Sequence, residues 1–278
     1  MQPLNILQKD DIVISESVIK GIPVLLLCNT QSFKHPMIFI FHRFLMNKTT
    51  EFPLAFRLAK VGYFCVLVDM HGHGSRDNSF DQTMSYDFNK MFRDIYLTAV
   101  DTNEILDYLE EHYKESLDFN YIGSAGTSIG ASVAMVSGYV NKRIKYIVSM
   151  IGAPCKWGSL INESSFHAFK VFAVSKDVFD YKSISEDISK YDPINHFSGL
   201  GEALPSVIFL NGKLDMTIPV KGAVEAYESL NITYQERNQQ NKLLFKLYPK
   251  VGHNITEEMI SDCISWLDDN IQRNRNGK

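Results

Sequence analysis

Residues 121–134 decide the fold, and they read YIGSAGTSIGASVA. An apolar run typical of a strand leads into the pentapeptide GTSIG at 126–130, and a run of small and β-branched residues at 129–139 predicts a helix after it. The pattern G-x-S-x-G alone occurs by chance in many proteins. Its meaning depends on whether Ser128 is an activated nucleophile or only a small residue in a tight turn.

The strand-turn-helix setting favours the nucleophile, because G-x-S-x-G in that setting is the pattern of a nucleophile elbow. A serine on such a sharp turn projects its oxygen above the sheet. The residues two before and two after it have to be small, since the strand end and the helix start meet there. Gly126 and Gly130 satisfy this requirement. The amide of Ile129, at the positive end of the helix dipole, then points toward a developing oxyanion.

A nucleophilic serine also needs a base. In elbow proteins the chain order is Ser, then Asp or Glu, then His, with each partner on a loop after a strand. His253 lies in LYPKVGHNITEE, between the last predicted strand and the last predicted helix, which is where the base is required. His167 and His196 also follow Ser128, but they fall in a segment without a strand, and we predict a surface or lid role for them.

The acid that orients the base is predicted to be Asp215. It lies in SVIFLNGKLDMTIP, in the loop after the next-to-last strand, and Pro219 and a helix follow it. A solvated loop carboxylate is the alternative interpretation of Asp215. Four other aspartates have the right chain order, but none follows a strand: Asp177, Asp180, Asp187 and Asp192.

Strands and helices alternate along most of the chain. A hairpin is predicted at 11–29, and the strands after it, such as 37–42 and 63–69, are almost continuously apolar, as strands buried on both faces are. The predicted helices are 49–61, with Thr49 or Thr50 as its cap, 85–113, 129–139, 217–230 and 256–271. This alternation predicts an α/β fold with a mostly parallel sheet and helices on both faces.

Residues 153–203 interrupt the alternation, because they form a long segment without a strand-like run. An excursion of this length between two strands usually folds as a small unit of its own, often a lid. The segment is rich in aromatic residues: Trp157, Phe166, Phe169, Phe172, Phe179, Tyr181, Tyr191 and Phe197. These side chains either line an apolar acyl pocket, with Trp157 as a candidate substrate contact, or bury the insertion against the sheet. We predict one domain over 1–278 with a helical lid at 153–203.

The composition is that of an ordinary globular protein. The chain has 278 residues, of which 45% are hydrophobic and 22% charged, and its net charge is −4. This charge gives no basic footprint for nucleic acid or an anionic membrane, and no apolar run reaches the ~18 residues of a transmembrane helix. The four cysteines are scattered without a CxxC pair. A cytoplasmic protein without nucleic-acid or membrane partners is the expectation.

With these pieces placed, the chain resembles the α/β-hydrolase superfamily over almost its whole length. The resemblance is carried by FIFHRF, VDMHGHGS, GTSIGAS, NGKLDMTIP and VGHNITEE. Within the superfamily it is similar to small bacterial carboxylesterases of the YjfP type, related to the dienelactone-hydrolase and prolyl-oligopeptidase-like branch. The resemblance implies an eight-stranded sheet and an acyl-enzyme mechanism that uses no metal or cofactor.

One position departs from the family pattern. The family has His-Gly after its third strand, whereas this chain has His42-Arg43-Phe44. The resemblance implies that the amide after that position, which is Phe44 here, is the second oxyanion-hole donor. A backbone amide survives the change to arginine if the turn is retained. The Arg43 side chain either reaches toward the site and favours an anionic substrate, or lies at the surface or in an ion pair.

The sequence HGHGS at 71–75 invites a metal-site interpretation, because His71 and His73 are two residues apart. No third ligand with suitable spacing lies nearby, although Asp69 and Asp77 flank the motif. The resemblance implies a structural turn. No phosphate-binding pattern accompanies the glycines either.

The sequence therefore predicts a serine ester hydrolase for a small-molecule ester of small or medium acyl length, with Ser128, Asp215 and His253 as the triad. A thioesterase or a small-peptide or amide hydrolase with the same triad is the first alternative. The chain is shorter than expected for a peptidase with a filtering domain, which favours esters. A non-catalytic ligand-binding protein on the same fold is the second alternative. Acyl length, alcohol and oligomeric state are left open.

Overall fold

The described residues form one sheet with helices on both of its faces. The computed structural model describes residues 6–9, 11–76, 88–158, 181–201 and 203–276. The strands are β1 (Ile6–Lys9), β2 (Ile12–Ile19), β3 (Ile22–Asn29), β4 (His35–Phe41), β5 (Phe64–Val68), β6 (Leu117–Thr127), β7 (Ile144–Met150), β8 (Ser206–Gly212) and β9 (Leu243–Tyr248). The α-helices in the described ranges are α1 (Phe52–Lys60), α2 (Met91–Tyr113), α3 (Ile129–Val140), α4 (Tyr181–Tyr191), α5 (Val220–Glu236) and α6 (Glu257–Asn276).

The strand order in the sheet is β1-β2-β3-β5-β4-β6-β7-β8-β9. The strands from β5 to β9 in this order pair in parallel, and β1, β2 and β3 are antiparallel at one edge. Strands β2 to β9 are the eight that the sequence analysis expected. The short β1 adds a ninth strand at the edge of the sheet, where it pairs with β2. Its four residues are too few for their pattern to predict a strand.

The hairpin of β2 and β3 was predicted from the sequence, and its turn explains the tight connection. Lys20 and Gly21 both have positive φ, at 51° and 83°. Two successive positive-φ residues form the kind of two-residue turn whose twist matches that of the flanking strands. Ile19 and Ile22 pair directly across it.

The inner parallel strands are largely buried on both faces, as their apolar sequences indicate, whereas Leu244 and Leu247 on the edge strand β9 are exposed. All residues of β5 and β8 are buried. On one side of the sheet, the core includes residues from α2, α3 and α5. On the other side, the core includes residues from α1 and α6. The alternation of strands and helices therefore places the carboxyl ends of the parallel strands at one edge, where ligands bind in sheets of this kind.

The first helix begins differently from the prediction. A 3-10 turn occupies Lys48–Glu51, and its cap is Asn47, whose side chain accepts a hydrogen bond from the amide of Thr49 at 2.9 Å. The predicted caps Thr49 and Thr50 are therefore wrong. An asparagine side chain reaches the amide two residues later with ease, which makes it a preferred cap. The regular helix then starts at Phe52, with a proline in its first turn.

Only part of the predicted lid lies in the described residues. Residues 159–180, which include four of the eight aromatic residues together with His167, Asp177 and Asp180, lie outside them. Helix α4 is described and packs beside α2, where Arg93 forms an ion pair with Asp187 at 3.3 Å. The lid itself stays a prediction.

Within the described ranges, no helix combines the length and the apolar character that a bilayer span requires.

Candidate active site

Ser128 lies on a sharp turn between β6 and α3. Its φ and ψ are 57° and −119°, a conformation that non-glycine residues rarely adopt. Its amide donates a hydrogen bond to the carbonyl of Met150 at 2.9 Å, which ties the turn to the end of β7. Strain of this kind persists only where the surrounding structure holds the residue, and such residues cluster at functional sites.

Three glycines make room for the turn. A Cβ on Gly126 would lie 1.9 Å from the carbonyl oxygen of Gly130, and a Cβ on Gly130 would lie 2.3 Å from that of Phe41. These are the two small positions that the sequence pattern predicted. Gly152, after β7, is a third, because its Cβ would lie 2.6 Å from the carbonyl oxygen of Ser128. Gly152 could not be recognised from the sequence, since its contact with the elbow exists only between neighbouring strands.

The structure brings Ser128, His253 and Asp215 together in a chain of hydrogen bonds. Nε2 of His253 is 3.0 Å from Oγ of Ser128, and Nδ1 of His253 is 2.7 Å from Oδ2 of Asp215. The second carboxylate oxygen of Asp215 accepts the amides of Thr217 and Ile218, each at 2.9 Å. With Oδ2 as an acceptor, Nδ1 of the ring carries the proton and Nε2 is free to accept the serine proton.

Two adjacent loops fix the separation between the acid and the base. The loop after β8 carries Asp215, and the amide of Leu214 in it donates to the carbonyl of Val251 at 2.9 Å. Gly212 lies so close to the second loop that a Cβ there would be 2.4 Å from the same carbonyl oxygen. These backbone contacts between the two loops therefore set the distance between His253 and Asp215.

The site is enclosed but reachable. Ser128 is 7% exposed and Asp215 4%, whereas the side chain of His253 is 19% exposed. The imidazole is therefore the most exposed of the three groups, while the aspartate is shielded from water. Shielding strengthens the interaction between a carboxylate and an imidazolium ion.

The loop after β4 lies against the elbow. Gly130 contacts the carbonyls of Phe41 and His42, so this loop starts beside the first turn of α3. The amide of Met46 donates to the carbonyl of Arg43 at 3.3 Å, which closes a turn that has Phe44 at its second position. The structure thus places the segment of Phe44 beside that of Ile129. Their roles as oxyanion donors stay predictions.

His42 holds the base of this loop in place. Its Nδ1 donates to the carbonyl of Arg43 at 2.8 Å, and its Nε2 accepts the amide of Met70 at 3.1 Å. Both ring nitrogens are thus used by the neutral form. Burial, as the largest cause, lowers the pKa of His42 from 6.5 to about 4, and the nearby His73 acts in the same direction. The ring has a structural role at the start of this loop and is neutral at physiological pH.

Arg43 forms an ion pair. Its Nε is 3.1 Å from Oε1 of Glu51, and the same oxygen accepts the hydroxyl of Thr127 at 2.6 Å. The ion-paired arrangement, one of the two alternatives left open by the sequence, is the one that the structure has. A contact between Arg43 and a substrate stays a prediction, since 28% of its side chain is exposed.

Trp157 is part of the core in this structure. It is 1% exposed, and its ring stacks on Phe92 with a centroid distance of 4.7 Å. Its amide and that of Lys156 donate to the carboxylate of Asp192. In this arrangement the ring is covered, and a contact between Trp157 and a substrate stays a prediction. Asp192, a competing candidate for the catalytic acid, has a structural role here.

The HGHGS turn is tied into the fold by ordinary hydrogen bonds. Asp69, at its start, accepts the amide of Lys48 at 2.7 Å and the ammonium of the same lysine at 2.9 Å. His71 lies 3.2 Å from the carboxylate of Asp101. Across the described residues, no group of three or more potential ligands is placed to hold a metal ion, and Asp77 lies outside them.

Comparisons with known proteins agree with this architecture. The family model of the prolyl oligopeptidase family matches residues 51–273. Among curated proteins, "Putative esterase YitV" of Bacillus subtilis (strain 168) is 24% identical over 264 residues, which cover 92% of this chain and 98% of that protein.

Solved structures show the same fold. TT1662 from Thermus thermophilus superposes with a TM-score of 0.69 at 17% identity, covering 93% of this chain and 97% of the other. An acetyl xylan esterase from Paenibacillus sp. R4 superposes with a TM-score of 0.71 at 15% identity, covering 96% and 88%. At these identities the superpositions establish the fold, which is that of the α/β-hydrolases.

Proposed function

This chain belongs to the prolyl oligopeptidase family of the α/β-hydrolase superfamily, and from that premise we propose that it is a serine carboxylic-ester hydrolase. The observation that carries the proposal is the continuous hydrogen-bond chain from Ser128 through His253 to Asp215 at 3.0 Å and 2.7 Å. Its substrates are esters with small or medium acyl groups. The finer YjfP-type relationship stays a prediction.

In the proposed reaction His253 removes the proton of Ser128 as its oxygen attacks the acyl carbon. The tetrahedral intermediate collapses, and the imidazolium of His253 gives its proton to the leaving alcohol. Water, deprotonated by the same imidazole, then attacks the acyl-enzyme and releases the carboxylic acid. Asp215 keeps the proton on Nδ1 and stabilises the imidazolium, but it does not itself take the proton.

The oxyanion is stabilised by two backbone amides in this proposal, those of Ile129 and Phe44. Ile129 is the first residue of α3, where amides have no acceptor within the helix. Phe44 follows the loop segment that packs on Gly130. Donors aimed at the charge that develops in the transition state give the largest single contribution in acyl transfer.

Hydrolysis of a peptide or another amide bond is the second candidate function, and the family name favours it. Thioesters fall in the same class, since the triad is shared among these reactions. Esters are preferred here because two similar proteins are named as esterases. One is the putative esterase YitV, of which the chain matches 98%, and the other is the acetyl xylan esterase of the same fold. A non-catalytic binding protein is less well supported, because the triad hydrogen bonds are complete.

The test is hydrolysis of p-nitrophenyl esters, from acetyl to palmitoyl, by the wild type and Ser128→Ala side by side. We expect a maximum at short or medium acyl length and a loss of several orders of magnitude in the variant, because triad residues act as a unit. The same proteins are assayed with a p-nitroanilide peptide series and an acyl thioester. A folded wild type that is no faster than Ser128→Ala on any ester would contradict the proposal.

A further inference from the structure

Glu51 lies at the junction of two segments of the candidate site. Its Oε1 accepts the hydroxyl of Thr127 at 2.6 Å and Nε of Arg43 at 3.1 Å. Its Oε2 lies 3.5 Å from Nη2 of Arg43. One carboxylate therefore connects residues that are 76 and 8 positions away in the sequence.

This carboxylate is enclosed, with a side-chain exposure of only 5%. A buried carboxylate is costly unless it is paired and hydrogen-bonded. The Arg43 guanidinium supplies the opposite charge, and the Thr127 hydroxyl supplies a donor. Since a planar guanidinium and a short hydroxyl hydrogen bond are both directional, the arrangement restrains the two segments relative to each other.

The two segments carry the groups proposed to stabilise the oxyanion. Arg43 immediately precedes Phe44, and Thr127 immediately precedes Ser128 and Ile129. Both segments are strained, because Ser128 and Leu45 have φ values of 57° and 59°. Backbone strain of this kind relaxes unless the surroundings hold it.

From this geometry we propose that Glu51 is a positioning residue of the oxyanion hole. Its carboxylate fixes the distance between the Phe44 and Ile129 amides by clamping the loop after β4 to the nucleophile elbow. It does not touch the substrate. Arg43 is the counter-ion of the clamp. The inference rests on the proposed serine-hydrolase function of the same site.

The kinetic consequence is specific. Oxyanion donors act on the transition state more than on bound substrate, so loosening them lowers kcat and leaves KM nearly unchanged. Removing one donor outright typically costs about 10²–10³ in kcat. A displaced donor costs less than a deleted one. We therefore expect Glu51→Gln, which weakens the pairing with Arg43, to lower kcat by about ten- to a hundredfold.

Thr127 offers a matched pair of variants. Thr127→Val removes the hydroxyl at almost constant shape, so we expect a fall in kcat in the same direction as that of Glu51→Gln. Thr127→Ser keeps the hydroxyl and restores most of kcat. Asp262→Asn is the control, because Asp262 on α6 is also a carboxylate that pairs with a cation, Lys246, and accepts a hydroxyl, that of Tyr248. We expect it to leave kcat unchanged.

The experiment measures kcat and KM for p-nitrophenyl acetate and the affinity for an alkyl boronic acid, which forms a tetrahedral adduct with the serine. Thermal unfolding of each variant establishes the folded fraction. The expected result is a parallel loss of kcat and boronate affinity in Glu51→Gln and Thr127→Val, at a constant KM. Unchanged kcat, a rise in KM alone, or a loss equal to the fall in folded protein would overturn the inference.

Reaction with a fluorophosphonate separates this inference from the proposed function. Labelling requires the nucleophile and the oxyanion hole but no ester turnover, and Ser128→Ala is the blank. A wild type that is labelled faster than Glu51→Gln supports the clamp even if no tested ester is hydrolysed. Equal labelling of the two proteins overturns the clamp alone. A wild type that neither reacts nor hydrolyses esters overturns both proposals.

Discussion

At the scale of single residues, both carboxylate oxygens of Asp215 are held by hydrogen bonds. One carboxylate oxygen faces Nδ1 of His253, and the other accepts two successive amides of its own loop. Because the loop amides fix the plane of the carboxylate, the imidazole has one favourable orientation. That orientation directs Nε2 to Ser128. The aspartate therefore acts on the reaction through the position and tautomer of the histidine.

Asp215→Asn tests this role. The amide oxygen still accepts the loop amides, but the amide nitrogen offers a donor to Nδ1, which favours the imidazole tautomer with its proton on Nε2. That tautomer cannot accept the serine proton, and the equivalent change in serine proteases lowers kcat by about 10⁴. We expect a loss of similar order in p-nitrophenyl ester hydrolysis, with an unchanged circular-dichroism spectrum. Activity within tenfold of the wild type would contradict the proposed role of Asp215.

At the scale of elements, the elbow depends on how closely α3 approaches the end of β4. Gly130 contacts backbone carbonyls of Phe41 and His42. These carbonyls belong to a strand in the middle of the sheet and to the turn that follows it, so they cannot move aside as a flexible side chain does. The small-residue pattern around Ser128 is therefore a requirement of packing between a strand and a helix.

Gly130→Ala is expected to destabilise the fold. Overfilling a packed site typically costs about 1–3 kcal/mol, and a clash with backbone belongs at the upper end or above it. The free energy of unfolding, measured with urea, gives the loss. The matched control is Gly199→Ala, because a Cβ at Gly199 meets nothing within 4 Å. Equal stabilities of the two variants would show that the helix can shift away from β4.

At the scale of the whole molecule, a buried neutral histidine couples the fold to pH. His42 is 1% exposed, and its environment lowers its pKa to about 4. The unfolded chain binds the proton more tightly, with a pKa near 6.5. The stability contributed by the neutral ring is therefore complete above about pH 6.5 and is lost as the pH falls toward 4. The difference corresponds to about 3 kcal/mol.

Urea unfolding between pH 4.5 and 7.5 tests this coupling. As the pH falls over this range, we expect the free energy of unfolding of the wild type to decrease more steeply than that of His42→Asn, which lacks the titrating ring. The difference in slope approaches that of one proton, about 1.4 kcal/mol per pH unit. His112→Gln, which removes an exposed histidine, is the control and is expected to keep the wild-type slope. Identical slopes for the wild type and His42→Asn would show that His42 does not carry the dependence.

Local pattern explains what could be predicted. The strands β4 to β9 were recognisable because parallel strands are largely apolar. Ser128, Asp215 and His253 were recognisable because each follows such a strand. The two glycines of the elbow followed from the same pattern. The cap of the first 3-10 turn and the short strand β1 were missed, since four-residue signals compete poorly with neighbouring ones.

The sequence by itself determined the order of strands and helices, the fold class and the three residues of the candidate triad, because apolar periodicity and turn residues act over a few positions. Only the tertiary structure decided that Glu51 accepts from both Arg43 and Thr127, that Gly152 supports the serine, and that Trp157 lies in the core. These contacts join residues on different strands and helices. No local pattern encodes them, since they depend on how the sheet aligns its neighbours and on which side chains then share one enclosed space.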